Sequence, residues 1–278
     1  MELRDRVCVV TGGAGGIGAA LARAFVDAGA RHVVVADLDG EGARAVAGAL
    51  GERASARVVD VSVGEDIEAL VAGVEDEIGP IDLFASNAGI TAPGGVEVPD
   101  ATWERVWAVN VMGHVHAARA LLPRMLARGG GHLLSTASAA GLLSQPGDAA
   151  YTATKHAAVG LAEWLAISYG DQGIGVSCLC PMAVDTAMLR GGLPPGGAPP
   201  PISGTGAGAA GAAAVQGVLT AERVAEAVVE GLRDGRFLIL PHPEVATFER
   251  RRAGDRDRWL AGMRRLTASL ADGDVPLP

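Results

Sequence analysis

The strongest constraint on how this chain can fold lies near its start. Residues 6–11, R-V-C-V-V-T, are a β-branched run suited to a buried strand, and Gly12-Gly13-Ala14-Gly15-Gly16-Ile17-Gly18 follows at once. Residues 19–28 are then good helix material, stopped by Gly29. A strand, a glycine-rich turn and a helix commit the chain to a parallel unit and also build a phosphate site. Without side chains the turn lets the backbone approach a pyrophosphate, and the helix N-terminus offers free N–H groups and the positive end of its dipole. Residues 32–36 read as a second strand ending in Asp37, about 20 residues past the turn, where an acid meets the ribose of an adenosine. Together these features favour a dinucleotide site over a merely tight turn.

The alternation continues along the chain. Residues 41–50 read as helix, 57–59 as a strand ending in Asp60, and Ser62-Val63-Gly64-Glu65 has the capping-box spacing that would open a helix through Ile78, broken by Gly79-Pro80. Residues 81–86 read as a strand left by Asn87-Ala88-Gly89. Asp100 is placed to cap a helix through Asn110 to about Arg128, which Gly129-Gly130-Gly131 ends. Residues 132–136 are a strand delivering Ser138, 149–169 a helix, and 175–180 a strand closed by Pro181. Such repetition predicts an α/β fold: one doubly wound parallel sheet in a Rossmann-type three-layer sandwich. Right-handed crossovers then bring the carboxyl ends of the strands to one edge.

Residues 182–217 differ in kind, with G-G-L-P-P-G-G-A-P-P-P and S-G-T-G-A-G-A-A-G, a composition too poor in large side chains to pack a core. They are expected to form a flexible lid at the ligand edge. Residues 220–233 resume as a helix capped by Thr220, 236–240 are a last strand, and Pro241-His242-Pro243 ends it. The extension 241–278 mixes both charge signs around Phe248, Trp259, Leu260 and Met263, as in a solvated helix with one packed face.

A length of 278 residues with 49% hydrophobic content suffices for one large core, so 1–278 is expected to be a single domain. The net charge of −9 comes with no block of Lys and Arg, which argues against nucleic acid and anionic membrane surfaces as partners. The opening M-E-L-R-D-R-V is no secretory signal and no apolar run reaches spanning length, so a cytoplasmic protein is expected. Cys8, Cys178 and Cys180 read as core thiols, the last two alternating on a buried strand and not expected to face each other. His114 and His116 lack partners at ligand spacing, so no metal is expected.

The chemistry concentrates in S-A-A-G-L-L-S-Q-P-G-D-A-A-Y-T-A-T-K, from Ser138 to Lys155. Tyr151 and Lys155 stand four apart in an Ala-rich segment, so both project from one helix face, a turn apart. A tyrosine titrates near ~10 in water, and a fixed ammonium one turn away is expected to favour the phenolate, readying it for proton exchange with an alcohol or ketone near neutral pH. Ser138 would then donate to the substrate oxygen. Y-x-x-x-K alone is also an ordinary surface-helix pattern, so the rest of the chain must carry this reading.

It does so jointly. T-G-G-A-G-G-I-G, N-A-G, and Ser138 with Y-x-x-x-K thirteen positions later occur in order at the predicted strand ends, and over roughly residues 6–240 the chain closely resembles the short-chain dehydrogenase/reductase family. The resemblance implies Ser138, Tyr151 and Lys155 as the catalytic set, with Asn110 in V-N-V-M-G as its structural and proton-relay asparagine. It implies cofactor contacts at the phosphate-loop residues Gly12, Gly15, Gly16, Ile17 and Gly18, at Asp37 and Leu38 for the adenosine ribose, and at Asp60 and Val61 for adenine. Asn87, Ala88 and Gly89 would shape the cofactor floor. Tyr151, Lys155, Pro181, Val184 and Thr186 would complete the site, the threonine holding the nicotinamide amide. Where the family often has Pro-Gly this chain has Pro181-Met182, so no substrate is borrowed from relatives.

The implied reaction is hydride transfer between NAD and a secondary alcohol or ketone. NAD is preferred because Asp37 would repel a 2′-phosphate, while Ala14 and Leu38 offer no compensating charge. Ala140, Leu142, Leu143, Met182, Met188 and Leu189 are the expected substrate wall, which suits a neutral, largely apolar skeleton. Arg190 and the 250–252 arginine run are the cations that a folded-over lid or tail could add. Trp103, Trp107, Leu121, Trp164 and Leu165 among alanines on two helices suggest a homo-oligomer, with a tetramer expected. An NADPH-dependent ketone reductase is the near alternative. A non-catalytic nucleotide-binding regulatory protein on the same fold is the distant one, against which the intact Ser138, Tyr151 and Lys155 argue.

Overall fold

A computed structural model describes residues 1–190 and 217–271. Seven strands, β1 (Val7–Thr11), β2 (His32–Asp37), β3 (Ala54–Val58), β4 (Leu83–Ser86), β5 (Gly131–Thr136), β6 (Ile174–Leu179) and β7 (Leu238–Ile239), form one sheet in the order β3-β2-β1-β4-β5-β6-β7. Every pairing is parallel.

A strand covered on both faces must be apolar at every position, and β1 is buried throughout. Its side chains alternate between two cores. Val7 and Val9 join Phe84, Leu133 and Val176 beneath α3 (Gly64–Glu77), α5 (Gly113–Ala127) and α7 (Ala149–Tyr169). Cys8 and Val10 join Leu83, Leu134 and Leu179 beneath α1 (Gly16–Asp27), α2 (Gly40–Leu50) and α8 (Ala221–Arg233). The chain thus runs outward from β1 to β3, returns to β4 beside β1, and runs outward again to β7. That reversal opens a crevice between the carboxyl ends of β1 and β4.

The predicted doubly wound sandwich is therefore the observed fold, with several local corrections. Helix α1 begins at Gly16 rather than residue 19, because the last turn glycines already wind into its first turn and Ala19 N–H bonds the Gly15 carbonyl at 3.2 Å. The capping box at Ser62 is not used. Val63 is the N-cap, and the Ser62 hydroxyl and N–H both donate to Asp60 Oδ1, at 2.6 and 2.9 Å, so that hydroxyl is occupied. Asp100 is the first residue of α4 (Asp100–Trp107) rather than its cap, which is Pro99. The expected long helix is interrupted: α4 and α5 are joined by a π-helical segment, Ala108–Met112, centred on Asn110. Cys178 and Cys180 do face one another, sulfur to sulfur 3.8 Å, since residues two apart on an extended chain project to the same side.

Thr220 caps α8 as expected, accepting from Arg223 N–H at 3.3 Å. The C-terminal extension forms two helices, α9 (Glu244–Gly254) and α10 (Arg256–Ala271). Val245 is buried in the same core as Leu142 and Leu143, and Phe248 and Trp259 pack against it with ring centroids 6.4 Å apart, whereas Leu260 is exposed. Most of the expected lid, residues 191–216, lies outside the described residues. No helix among the described residues is long and apolar enough to cross a membrane.

Candidate active site

The crevice is lined first by the glycine turn. The N-cap of helix α1 is Gly15, which makes no side-chain cap, so the first-turn N–H groups are available to an anion. A Cβ on Gly18 would lie 2.0 Å from the Gly12 carbonyl oxygen, so only glycine lets the helix start this close to the strand end. At Gly15, by contrast, a Cβ would meet nothing within 4 Å; the backbone there is open. Gly16 faces Thr186, whose Cγ2 would lie 3.1 Å from its Cβ, and Ile17 packs partly buried in the second core. An uncapped helix end behind an open glycine turn fits a pyrophosphate.

Asp37 ends β2 with both carboxylate oxygens fixed by backbone donors: Ala14 N–H to Oδ2 at 3.0 Å and Asp39 N–H to Oδ1 at 2.9 Å. The adjacent Leu38 is exposed. Across the crevice, Thr11 Oγ1 accepts from the N–H groups of Asn87 at 3.0 Å and Ala88 at 3.2 Å, and Asn87 Nδ2 donates to the Thr11 carbonyl at 3.1 Å. These bonds join the turn after β1 to the turn after β4. The Asp60 carboxyl is held below the usual carboxylate range, chiefly by the Ser62 hydroxyl, with Arg105 adding to the effect. Val61 is buried, and its carbonyl contacts His116 Nδ1 at 3.1 Å.

Beyond this crevice the carboxyl ends of β5 and β6 bring the second group of residues together. Asp148, buried, caps α7 by accepting from Tyr151 N–H at 2.9 Å and from Ala92 N–H at 3.0 Å, which sets both the helix start and the neighbouring loop. Lys155 Nζ donates to the Thr136 carbonyl at 2.9 Å and lies 5.5 Å from the Tyr151 ring centroid. A Cβ on Gly89 would meet Asn110 Oδ1 at 3.3 Å and Lys155 Nζ at 3.4 Å, so these three residues close on one point. Asn110 is fully buried and clamps the chain: its Oδ1 accepts from Ile90 N–H at 2.9 Å, and its Nδ2 donates to Ile90 O at 2.9 Å and Thr154 Oγ1 at 3.1 Å. The π-helical turn accommodates that clamp.

The electrostatics correct one expectation. Tyr151 is pushed up to about 12, because burial outweighs the hydrogen bond with Ser138, and Asp148 and Cys180 add to the rise. Lys155 is lowered to about 8, burial again being the main cause, with the Cys180 and Cys178 sulfurs pulling the other way. The ammonium uses one of its three donors on the Thr136 carbonyl and sits against the ring, yet burial outweighs its pull on the phenol. It therefore does not by itself make a phenolate, as the spacing alone had suggested.

The Ser138 hydroxyl donates to the Pro181 carbonyl at 3.4 Å and accepts from Ala140 N–H at 3.0 Å. Of the expected substrate wall, Ala140, Leu142 and Leu143 form the short buried helix α6 (Ala140–Leu143), with Leu142 and Leu143 committed to packing in the core. Met182 is partly buried, Leu189 half-buried and Met188 exposed. Val184 and Leu219 pair as an isolated parallel bridge. Arg190 is buried and ion-paired with Asp185, so it is not an unpaired cation at the wall. Arg252 reaches back to His156 Nε2 at 3.4 Å. Sequence reasoning missed Asp148, Thr154 and His242. Only Asp148 had a local signal, an acid immediately before an apolar helix.

Comparison with known proteins gives a consistent result. Residues 6–192 match the family described as short chain dehydrogenase. The chain is similar to 1-deoxy-11-beta-hydroxypentalenate dehydrogenase of Streptomyces exfoliatus, at 38% identity over 252 residues, covering 88% of this chain and 86% of that protein. It is also similar to 3beta-hydroxysteroid dehydrogenase 2 of Eggerthella lenta, at 36% identity over 185 residues, 64% of this chain and 71% of that one. Among solved structures it resembles a short chain dehydrogenase/reductase from Burkholderia phymatum in complex with NAD, with a TM-score of 0.79, 32% identity, and coverage of 92% and 96% of the two chains.

Proposed function

This chain belongs to the short chain dehydrogenases, a family of oxidoreductases, and on that premise we propose that it transfers a hydride between NAD and a neutral, largely apolar secondary alcohol or its ketone. The observation that carries the proposal is that Ser138, Tyr151 and Lys155 come together at the same carboxyl edge of the sheet that carries an uncapped helix N-terminus and a fixed Asp37 carboxylate. The printed names of the two relatives, a hydroxypentalenate and a hydroxysteroid dehydrogenase, support a hydroxyl on a carbon skeleton as the reacting group.

The glycine turn and the N-terminus of α1 would hold the pyrophosphate, and Asp37 would accept from the adenosine ribose hydroxyls. Asp60, Val61 and the Asn87 to Gly89 turn frame the adenine and the cofactor floor, while Pro181, Val184 and Thr186 border the nicotinamide. Bound NAD supplies the hydride acceptor and a positive charge. Lys155 would bind the cofactor ribose, and its ammonium with the positive charge of bound NAD would favour the Tyr151 phenolate that burial alone opposes. Ser138 would hold the substrate oxygen and Tyr151 would take its proton, the cofactor when bound supplying the acceptor for the hydride of the carbinol carbon. Asn110 keeps the loop after β4 and helix α7 in register around Lys155 and anchors the proton relay. With Arg190 paired to Asp185, that cation is not left spare for a substrate carboxylate among the described wall residues.

The test is NAD reduction, read by absorbance, over a panel of secondary alcohols of increasing apolar size, repeated with NADP and with carboxylated analogues. Efficiency is expected to rise with added methylenes and to fall by at least ~10-fold with NADP, the scale of an unpaired charge against Asp37. Equal efficiency with NADP, or a gain from an added carboxylate, overturns the respective part.

The same reading includes a homo-oligomer, with a tetramer expected. Of the five large side chains expected at its contacts, Leu121 and Leu165 are instead buried in the chain's own core. Trp107 and Trp164 are exposed, together with Ile167.

A further inference from the structure

Of the two histidines near the start of α5, His114 is buried in the core, whereas His116 turns to the loop that follows β3. That loop begins beside the proposed ribose site. Val58 pairs with Asp37 in the parallel register of β2 and β3, and Val59 N–H donates to the Asp37 carbonyl at 3.0 Å. Asp60 thus stands two residues past the pair that contains the ribose acid (60 − 58). Its neighbour Val61 lines a cavity with Thr11, Ala88 and Gly113, between the ends of β1 and β4.

The Asp60 carboxylate is held in place. Its Oδ1 accepts the Ser62 hydroxyl at 2.6 Å and the Ser62 N–H at 2.9 Å, and its Oδ2 lies 3.6 Å from Arg105 Nη1 on α4. The Asp60 N–H donates to Asp66 Oδ2 on α3 at 3.1 Å. With two donors already on Oδ1, Oδ2 is the oxygen left to meet a ligand; an anionic oxygen welcomes an N–H and repels a carbonyl.

The Ser62 N–H belongs to the same peptide group as the Val61 carbonyl. A peptide group is planar, so whatever fixes that carbonyl also fixes the N–H that Asp60 takes. His116 Nδ1 lies 3.1 Å from the Val61 oxygen, and because a carbonyl only accepts, Nδ1 carries the hydrogen. A Cβ on Gly64 would lie 3.4 Å from His116 Cδ2, so the ring also rests against the start of α3. One line of contacts therefore runs from His116 Nδ1–H to the Val61 carbonyl, through the Val61-Ser62 peptide, to Asp60 Oδ1. Arg105 is half exposed, and its long pair with Oδ2 holds weakly by comparison.

We propose that His116 is a positioning residue that orients the Asp60 carboxylate through the Val61-Ser62 peptide, so that Asp60 selects a cofactor base bearing an exocyclic amino group over one bearing a carbonyl at the same carbon. This rests on the reading above in which Asp60 frames the adenine, and it names the residue that makes that contact selective.

The test compares the full chain with His116→Phe and His116→Ala, which lack the donor, and with His116→Asn, whose Nδ2–H can stand where Nδ1–H stood. Each is titrated with NADH and with reduced nicotinamide hypoxanthine dinucleotide, in which a carbonyl replaces the adenine amino group, and binding is read by nicotinamide fluorescence. The wild type is expected to bind NADH at least ~10-fold more tightly than the hypoxanthine form, the scale of one charge-assisted hydrogen bond. In His116→Phe and His116→Ala that ratio should fall toward unity through weaker NADH binding, while His116→Asn keeps most of it. Hydrogen exchange at the Ser62 amide reads the same line without cofactor: slow in wild type and His116→Asn, fast in the two donorless variants. A folded donorless variant that keeps the wild-type ratio overturns the proposal. So does an equal loss of affinity for both dinucleotides, which marks a merely structural role, or a ratio in His116→Asn as low as in the donorless variants. A Ser62 amide that stays protected in the donorless variants overturns the peptide route. A wild type that binds both dinucleotides equally overturns the Asp60 contact and the proposal with it. A wild type that binds neither overturns the cofactor reading itself, while the exchange contrast still decides whether His116 fixes the peptide.

Discussion

At the residue scale, the opposed shifts of Tyr151 and Lys155 decide what each side chain contributes. Tyr151→Phe removes the proposed proton acceptor and leaves the cofactor contacts in place, so turnover should fall by ~10²–10⁴-fold while NADH affinity, read by fluorescence titration, stays within a few fold. Lys155→Ala should lose both. Turnover of Tyr151→Phe near the wild-type value would remove the assignment. A second expectation follows from Lys155, lowered to about 8 from 10.5 by burial. A base with a depressed folded-state pKa binds fewer protons folded than unfolded between those two values. Stability of the cofactor-free protein should therefore rise as pH climbs from about 8 toward 10.5, with the full cost of the buried ammonium present below that window, a gain on the order of 3 kcal/mol. Tyr151, raised from 10.0 to about 12, works the other way only above its unfolded pKa. Urea denaturation between about pH 7 and 10 of wild type and Lys155→Met measures this: the wild type should gain on the variant as pH rises, and a constant difference contradicts it.

At the element scale, helix α7 is where local sequence and function meet. Its bounds and its Tyr-Lys spacing were legible from the Ala-rich run, but its starting point is fixed by Asp148, which also holds Ala92. Asp148→Ala should lower stability by about 1–2 kcal/mol through the lost cap. It should also reduce turnover, since the first turn carries Tyr151; unfolding free energy and kcat measured on one preparation check both, and a stability loss with intact kcat would show that Tyr151 is held by other contacts. The π-helical segment at Asn110 was not legible, because its cause is a pair of bonds to Ile90, twenty residues earlier in the chain, and one to Thr154. The failed capping box at Ser62 has the same character: the motif is present, but Asp60 takes the hydroxyl first.

At the scale of the whole molecule, the exposed Ile167, 84% accessible, lies on α7 near the exposed Trp164, an arrangement that suits burial against a second copy. Ile167→Glu should lower the mass measured by light scattering at micromolar concentration, and an unchanged mass would exclude that face from the assembly. By itself the sequence determined the parallel sandwich, because β-branched runs and Ala-rich helices at regular spacing leave few other ways to bury both faces of a sheet. It also determined the glycine turn, Asp37, and the spacing of Ser138, Tyr151 and Lys155, all of which are short-range patterns. Tertiary structure alone decided which charges are spent and which polar groups are left over. Arg190 is neutralised by Asp185, the Lys155 ammonium is drawn to the Thr136 carbonyl, and Leu121 and Leu165 turn inward. His242 reaches Met182 from sixty residues away in the chain. Burial and hydrogen-bond partnership depend on elements that meet only after folding, so a pattern within one segment can place a side chain on a face but cannot say what waits there.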